Sequence, residues 1–350
     1  MNKRIYLTLS DGSVWPANGS IDSPIEGEVV FTTASCGYPQ TLTDPSYNGQ
    51  LVVFAFPPIG IYGIDRENLE GRRVWVRAAL MTSLDETEVG RFESLTDWMA
   101  ENERPIVSVI DTRQLILHIR KCGAMMGRLD FEPRVPEMEV LPGTLVSEVS
   151  CKEKEVSGDG DITIALMDYG VKESIVRSMV RRKCRVIRFP HNTPAEEVLS
   201  SGADGILLSN GPGDPALLDY EVGEVAKMLG KKPLLGVCLG NQLLGRACGA
   251  KTKKLPFGHR GVNQPVLEHA TGRGLVTSQN HQYAVDEKTL AGTNLEVAYS
   301  HLGDGTVEGL RHKFYDAVSV QFHPEASPGP EDAAYIFDNF VTRLQAFKER

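Results

Sequence analysis

Three short stretches combine residue types and spacings that can do covalent chemistry. The first is Leu234-Leu235-Gly236-Val237-Cys238-Leu239-Gly240-Asn241-Gln242-Leu243-Leu244, an apolar run that reaches a cysteine with glycine two positions to either side and then passes into a helical pattern. A nucleophile in a G-x-Nu-x-G frame between a buried strand and a helix is held on a tight turn that lifts it above the sheet. Glycines at ±2 avoid the clashes that a Cβ would create there. The helix N-terminus beneath the sulfur favours the thiolate, which is the reactive form. A cysteine taken alone is more often a small buried apolar residue, but the two glycines at a strand-to-helix junction reverse that reading for Cys238.

A thiolate that attacks a carbonyl needs a proton carrier. The second stretch, Gln321-Phe322-His323-Pro324-Glu325-Ala326, supplies one. Val318 to Phe322 reads as a strand, which puts His323 at a strand end, the edge where α/β proteins carry their sites. Glu325, two residues on, is placed to hold one imidazole tautomer and to stabilise the imidazolium. The third stretch is Leu208-Ser209-Asn210-Gly211-Pro212-Gly213-Asp214-Pro215, again after a strand. Its glycines allow backbone N–H groups to approach a ligand closely and to stabilise an oxyanion. Gly211, Gly213 and Ala216 also satisfy G-x-G-x-x-A. A dinucleotide fingerprint, however, follows the first strand of its unit and has an acidic residue about 20 positions on. Here the motif follows the third strand and Lys231-Lys232-Pro233 stands where the acid belongs, so NAD is rejected. No G-x-x-x-x-G-K-[ST] occurs, so the chain shows no P-loop for ATP.

The elements that must position these groups fall into two halves of different texture. They are separated by the polar, periodicity-free stretch Ser150 to Gly160, which has linker composition. The division expected is residues 1–150, a linker at 151–162, and residues 163–350. The first half reads as β-rich, with strands at Ile5–Leu9, Gly27–Thr33 and Gln50–Phe56. Gly37-Tyr38-Pro39 and Thr43 to Gly49 give a dense turn signal between the last two. Asp111 to Cys122 has helical periodicity, with Leu115, Ile116 and Ile119 on one side and Gly123 at the C′ end. The second half alternates. Strands are expected at Ile162–Met167, Arg185–Phe189, Asp204–Ser209 and Pro233–Val237. Helices are expected at Lys172–Lys183, Thr193–Leu199, Tyr220–Leu229, Leu239–Cys248 and Ala333–Phe347. That rhythm predicts an α/β fold: a doubly wound, mostly parallel C-terminal sheet, preceded by a smaller β-rich α/β domain.

The totals agree with this picture. With 350 residues there is room for about two cores. A net charge of −9 argues against a general nucleic-acid binder, which needs a basic face. No apolar run approaches the roughly 20 residues of a membrane span, and the N-terminus lacks a signal-peptide pattern. Cys36, Cys122, Cys151, Cys184, Cys238 and Cys248 are scattered without C-x-x-C spacing. They signal neither a disulfide framework nor a metal site, and point to a reducing, cytoplasmic compartment.

Taken together and in this order, the three motifs resemble the class I (triad) glutamine amidotransferases over residues 163–350. In the first half, Gly27-Glu28-Val29-Val30-Phe31, Gly37-Tyr38, Leu42 to Tyr47, Ile59 to Gly63 and Ile110-Asp111-Thr112-Arg113 resemble the N-terminal domain of carbamoyl phosphate synthetase small subunits. So do Phe257 to Val266 and His323 to Pro330. The resemblance implies Cys238 as nucleophile, His323 as acid/base and Glu325 as its orienter. It implies glutamine contacts at Ser46, Gly211, Gly213, Leu239, Gln242, Asn280, Gln282 and Tyr283. It further implies a glutamyl thioester and delivery of ammonia to a large synthetase subunit. ATP and Mg²⁺ are expected on that subunit, and no cofactor in this chain. Carbamoyl phosphate made by such complexes serves arginine and pyrimidine biosynthesis. Two positions depart from the family pattern: Asn241 stands where histidine is usual, and Gln282 replaces a common glycine. Two other readings compete, a glutaminase feeding a different synthase and a catalytically silent regulatory subunit. The first-half domain, which other glutaminase modules usually lack, speaks against the former, and the presence of all three triad residues against the latter.

Overall fold

The computed structural model describes residues 3–86, 92–109 and 111–350. Ile110, the first residue of the Ile110-Asp111-Thr112-Arg113 stretch, lies outside the described residues. The chain divides into two compact units, Met1–Pro142 with Pro256–Gly261, and Gly143–Leu255 with Val262–Arg350.

Among the described residues the first unit is built on seven strands: β1 (Lys3–Leu9), β2 (Val14–Gly19), β3 (Ile25–Thr32), β4 (Gln50–Phe54), β5 (Ala78–Met81), β6 (Ile106–Val109) and β7 (Met125–Asp130). They close into a barrel in the order β1-β2-β6-β5-β4-β3-β7. Pairing along β3-β4-β5-β6 is parallel and the other junctions are antiparallel. Period-2 alternation explains why the parallel strands are apolar on both faces. Val29, Leu51, Val53, Ala78 and Leu80 belong to one core, with Leu115 and Ile119. Val30, Val52, Phe54, Ala79 and Met81 belong to another, with Tyr38, Leu42 and Trp98. The helices are α1 (Tyr38–Thr43), α2 (Leu95–Glu101) and α3 (Thr112–Cys122). In α3 the Asp111 side chain accepts from the Gln114 N–H at the start, and Gly123 closes the end at φ 96°. The segment whose composition signals turns carries α1 and a 3₁₀ turn at Pro45–Tyr47. Gly37 at φ 76° redirects the chain and Pro39 fixes φ in the first helical turn, so turn-forming residues here act as helix starters.

The second unit holds β8 (Glu155–Ser157), β9 (Ile162–Asp168), β10 (Cys184–Pro190), β11 (Gly205–Leu208), β12 (Leu234–Val237), β13 (Thr252–Glu268), β14 (Arg273–Val285), β15 (Leu295–His301), β16 (Val307–His312) and β17 (Ala317–Val320). Of β13, residues Pro256–Gly261 group with the first unit. The sheet order is β14-β13-β15-β16-β17-β12-β11-β9-β10-β8. Its centre, β17-β12-β11-β9-β10, is parallel. Its helices are α4 (Leu145–Val149), α5 (Glu173–Arg181), α6 (Ala195–Ser200), α7 (Asp219–Met228), α8 (Leu239–Ala247) and α9 (Tyr335–Lys348). Both faces are covered. Ile164, Leu166, Leu235 and Val237 pack with Ile175 and Met179 of α5 and with Phe337, Phe340 and Leu344 of α9. Ala165, Met167, Ile206 and Leu208 pack with Val198, Val225, Met228, Leu239 and Leu243 of α6 to α8. Burial of each such Leu, Ile or Phe stabilises the fold by about 1.5–3 kcal/mol. The polar stretch 151–162 carries β8, which pairs antiparallel with β10, and the Cys151 N–H donates to the Asp168 carboxylate (2.9 Å). The C-terminal half of the chain is therefore the doubly wound sheet expected, with antiparallel strands added at both edges.

Candidate active site

The carboxyl edge of the central strands gathers the chemistry-bearing residues of the second unit. β12 ends at Val237 and α8 begins at Leu239, so Cys238 alone makes the turn, at φ 54° and ψ −102°. A non-glycine residue there costs on the order of 1–3 kcal/mol and persists only where its surroundings impose it. Those surroundings are visible. The Cys238 N–H donates to Val320 O (2.8 Å), and the Gly240 N–H to Ser209 O (3.0 Å). A Cβ on Gly236 would stand 2.6 Å from Gly240 O, and one on Gly240 would stand 2.3 Å from Leu208 O. The two glycines thus let the helix start press against both its own strand and β11.

On the neighbouring parallel strand, β17 ends at Val320, two residues earlier than the sequence pattern suggests. Gln321 and Phe322 leave ladder geometry, and the His323 N–H donates to Ser278 O of β14 (2.9 Å). His323 Nδ1 is 2.6 Å from Glu325 Oε1, and that oxygen is also 3.1 Å from Lys172 Nζ. Lys172 further donates to Ala326 O (2.6 Å). All three side chains are buried. Burial works against charge on both His323 and Glu325, but the pairing outweighs it. The Glu325 carboxylate and the nearby Cys238 thiol hold His323 well above the ordinary imidazole range. The Lys172 ammonium and the imidazolium hold Glu325 below the ordinary carboxylate range. The ring's other nitrogen, Nε2, is buried and makes no hydrogen bond of ordinary geometry among the described residues. A charged imidazole beside a thiol, backed by a carboxylate held ionised, can form and stabilise a thiolate and carry a proton to and from it.

The third motif lies across the edge on β11. Tyr169 donates its N–H to Ser209 Oγ (2.9 Å), and Ser209 Oγ–H donates to Asn210 O (2.8 Å). A Cβ on Gly211 would meet Tyr169 O at 2.2 Å and Leu239 Cδ2 at 2.9 Å, while Gly213 sits at φ 91°. This loop is seated directly on the first residue of α8. The Leu239 N–H belongs to the first turn, whose donors have no intrahelical acceptor, and such donors suit an oxyanion.

Of the residues expected to hold glutamine, Asn280 meets the sulfur through its backbone carbonyl and Gln242 is tied to Tyr283. Asn280 O is 3.7 Å from Cys238 Sγ, and Gln242 Nε2 donates to Tyr283 O (2.7 Å). Gly211 packs on Leu239. Gln282 turns its side-chain amide to Leu255 O of β13, which is how a side chain is accommodated where the family has glycine. Ser46 belongs to the first unit, buried in the 3₁₀ turn after α1. Lys172 was not legible as a site residue, since it reads as the opening of an amphipathic helix. Its only signal is a cation just past the end of a parallel strand. The equivalent signal for Gln321, whose Nε2 lies 3.6 Å from the Cys238 sulfur, was its place in the histidine motif.

Residues 165–343 match the family described as "Glutamine amidotransferase class-I", which sets the class of the second unit. Residues 7–129 match "Carbamoyl-phosphate synthase small chain, CPSase domain". The "Carbamoyl phosphate synthase small chain" of Bacillus cereus is 45% identical over 353 residues, covering 98% of this chain and 96% of its own. That of Staphylococcus haemolyticus is 41% identical over 361 residues, covering 100% and 98%. A "pyrimidine-specific small chain" from Halalkalibacterium halodurans is 44% identical over 355 residues, covering 98% of each. The chain belongs to the carbamoyl phosphate synthase small-chain family, and as a member it is a glutamine-hydrolysing amidotransferase subunit. No helix among the described residues is long and apolar enough to cross a membrane.

Proposed function

We propose that Cys238, His323 and Glu325 form the catalytic triad that releases ammonia from glutamine, and that a large synthetase subunit consumes it. The observation that carries this reading is the buried line Lys172–Glu325–His323 beside a strained cysteine elbow. The Cys238 thiolate attacks the side-chain carboxamide carbon, forming a C–S bond while the carbonyl oxygen becomes an oxyanion held by the Leu239 N–H and the 211–213 loop. As the tetrahedral intermediate collapses, the C–N bond breaks and His323 passes its proton to the departing nitrogen. Ammonia leaves and a glutamyl thioester remains. His323 then takes a proton from water, whose oxygen attacks the thioester. The C–S bond breaks, and glutamate and the thiolate are restored. Glu325 keeps Nδ1 protonated throughout, so that Nε2 does the proton work, and Lys172 keeps Glu325 ionised. Gly211, Gly213, Gln242, Asn280, Gln282 and Tyr283 hold the substrate.

Ammonia must reach its acceptor before bulk water protonates it, which calls for a guarded passage to a partner that activates bicarbonate with ATP and Mg²⁺. In the complex with that large subunit, Cys238→Ser abolishes glutamine-dependent carbamoyl phosphate synthesis, while synthesis from added ammonia survives. Equal loss of both would refute the division of labour.

A further inference from the structure

The sulfur of Cys238 has a contact that the triad does not use. Gln321 is fully buried, in the bend that follows β17, and its backbone N–H donates to Glu308 O (2.8 Å). Its side-chain Nε2 points at Cys238 Sγ from 3.6 Å. Its Oε1 receives two donors, Asn241 Nδ2 at 3.1 Å and Gln242 Nε2 at 3.1 Å. Each donor is itself fixed. Ser319 Oγ–H donates to Asn241 Oδ1 (2.8 Å), and Gln242 Nε2 also serves Tyr283 O (2.7 Å). Ser319, Asn241 and Gln321 are wholly buried, and Gln242 nearly so.

This network decides which end of the Gln321 carboxamide meets the sulfur. Flipping the amide would turn its NH₂ group toward two other NH₂ groups and leave buried donors unpaired, an arrangement that proteins avoid. With Oε1 committed to Asn241 and Gln242, Nε2 must face Cys238. A donor aimed at sulfur favours the thiolate over the thiol, since a hydrogen bond to the charged form stabilises that form. It also restrains the sulfur on the side of the elbow formed by β17.

We infer that Gln321 is a positioning residue for the nucleophile, held in its donating orientation by Asn241, Gln242 and Ser319. The inference rests on the reading of Cys238 as the attacking group. It also accounts for the position where asparagine stands in place of the family's usual histidine: what the network requires there is a side-chain N–H directed at Gln321 Oε1, and either residue supplies one.

The test uses the full chain and a chloroketone analogue of glutamine as probe, with the rate of Cys238 alkylation followed against pH and glutamine hydrolysis measured in parallel. Gln321→Met removes the donor at similar volume. The pH midpoint of alkylation should rise by about one unit, and kcat should fall roughly tenfold with KM within about twofold, as for loss of one hydrogen bond to a charged group. Gln321→Glu, which keeps the acceptor but presents a carboxylate to sulfur, should raise the midpoint further. Asn241→Leu should shift it in the same direction, and Asn241→His should restore the wild-type profile. Unchanged pH profiles in Gln321→Met and Asn241→Leu would overturn the inference. If Gln321→Met does not fold, the contrast between Asn241→Leu and Asn241→His decides the same point. Failure of the underlying reading looks different: Cys238→Ser would then still hydrolyse glutamine, and the probe would not label Cys238 in the unaltered chain.

Discussion

Replacing Lys172 by methionine keeps the volume of a buried stem and removes the ammonium that, together with the His323 ring, touches Glu325. The ammonium is 3.1 Å from Glu325 Oε1, with the two side chains 4% and 0% exposed. Water cannot take over, so the carboxylate left behind is a buried charge paired only with the His323 ring. Breaking a buried pair by removing one partner costs about 3–5 kcal/mol. Glu325→Gln removes the other partner of the pair, and Lys172 keeps the Ala326 carbonyl, so this variant should lose less. In the double variant neither charge is stranded, so its cost should fall short of the sum of the single costs by about 0.5–3 kcal/mol. Urea unfolding of the full chain at pH 7 for the three variants reads these values directly. Lys172 is the leading cause of the lowered Glu325 value, so its loss moves Glu325 protonation to higher pH. A carboxylate depressed in the folded state contributes stability above its unfolded pKa and loses it as pH falls through the folded pKa. In Lys172→Met that loss is smaller and is complete at higher pH, and the acid limb of glutamine hydrolysis shifts upward with it. A cost below about 1 kcal/mol, or strict additivity in the double variant, would show that the pair is not a buried unit and would refute the reasoning.

Further outcomes follow from the same geometry. The folded-state value of His323 is raised to about 10, so its contribution is complete below the unfolded imidazole value and fades as pH rises toward 10. Unfolding free energy should therefore decline across that window, and His323→Gln should flatten the decline in pH-dependent urea melts. Gly240→Ala places a methyl group 2.3 Å from Leu208 O, a backbone atom that cannot swing away. Such overpacking costs about 1–3 kcal/mol, and displacement of the elbow should cut kcat by at least roughly tenfold, measurable by glutamate release. Cys238→Ser removes the nucleophile with little change of volume, so its melting temperature should stay close to that of the unaltered chain while glutamate release disappears.

What the sequence alone determined about this protein is what local spacing encodes. The strand, the glycine pair and the helix around Cys238 lie within about a dozen consecutive residues, and the steric demand of that turn is met by those residues and the strand beside it. His323 and Glu325 are two positions apart, so their pairing was legible as soon as a strand end was. The β–α alternation from Ile162 onward fixes a parallel sheet through hydrophobic period alone. Tertiary structure decided the rest, because the deciding partners are distant in the chain. Lys172 and Glu325 are separated by the whole of the central sheet in sequence and meet because β9 and β17 end on the same edge. Gln321 acquires a direction only when Asn241 and Gln242, on α8, meet its acceptor oxygen. Closure of the first unit's strands into a barrel depends on the β1–β7 register, which no single stretch contains. The short strand β8 is polar and forms because the free edge of β10 offers it a ladder of hydrogen-bonding groups. Periodicity specifies which face of an element is buried. Which charges and amides confront one another across the core is set by strand order and register, and those exist only in the folded chain.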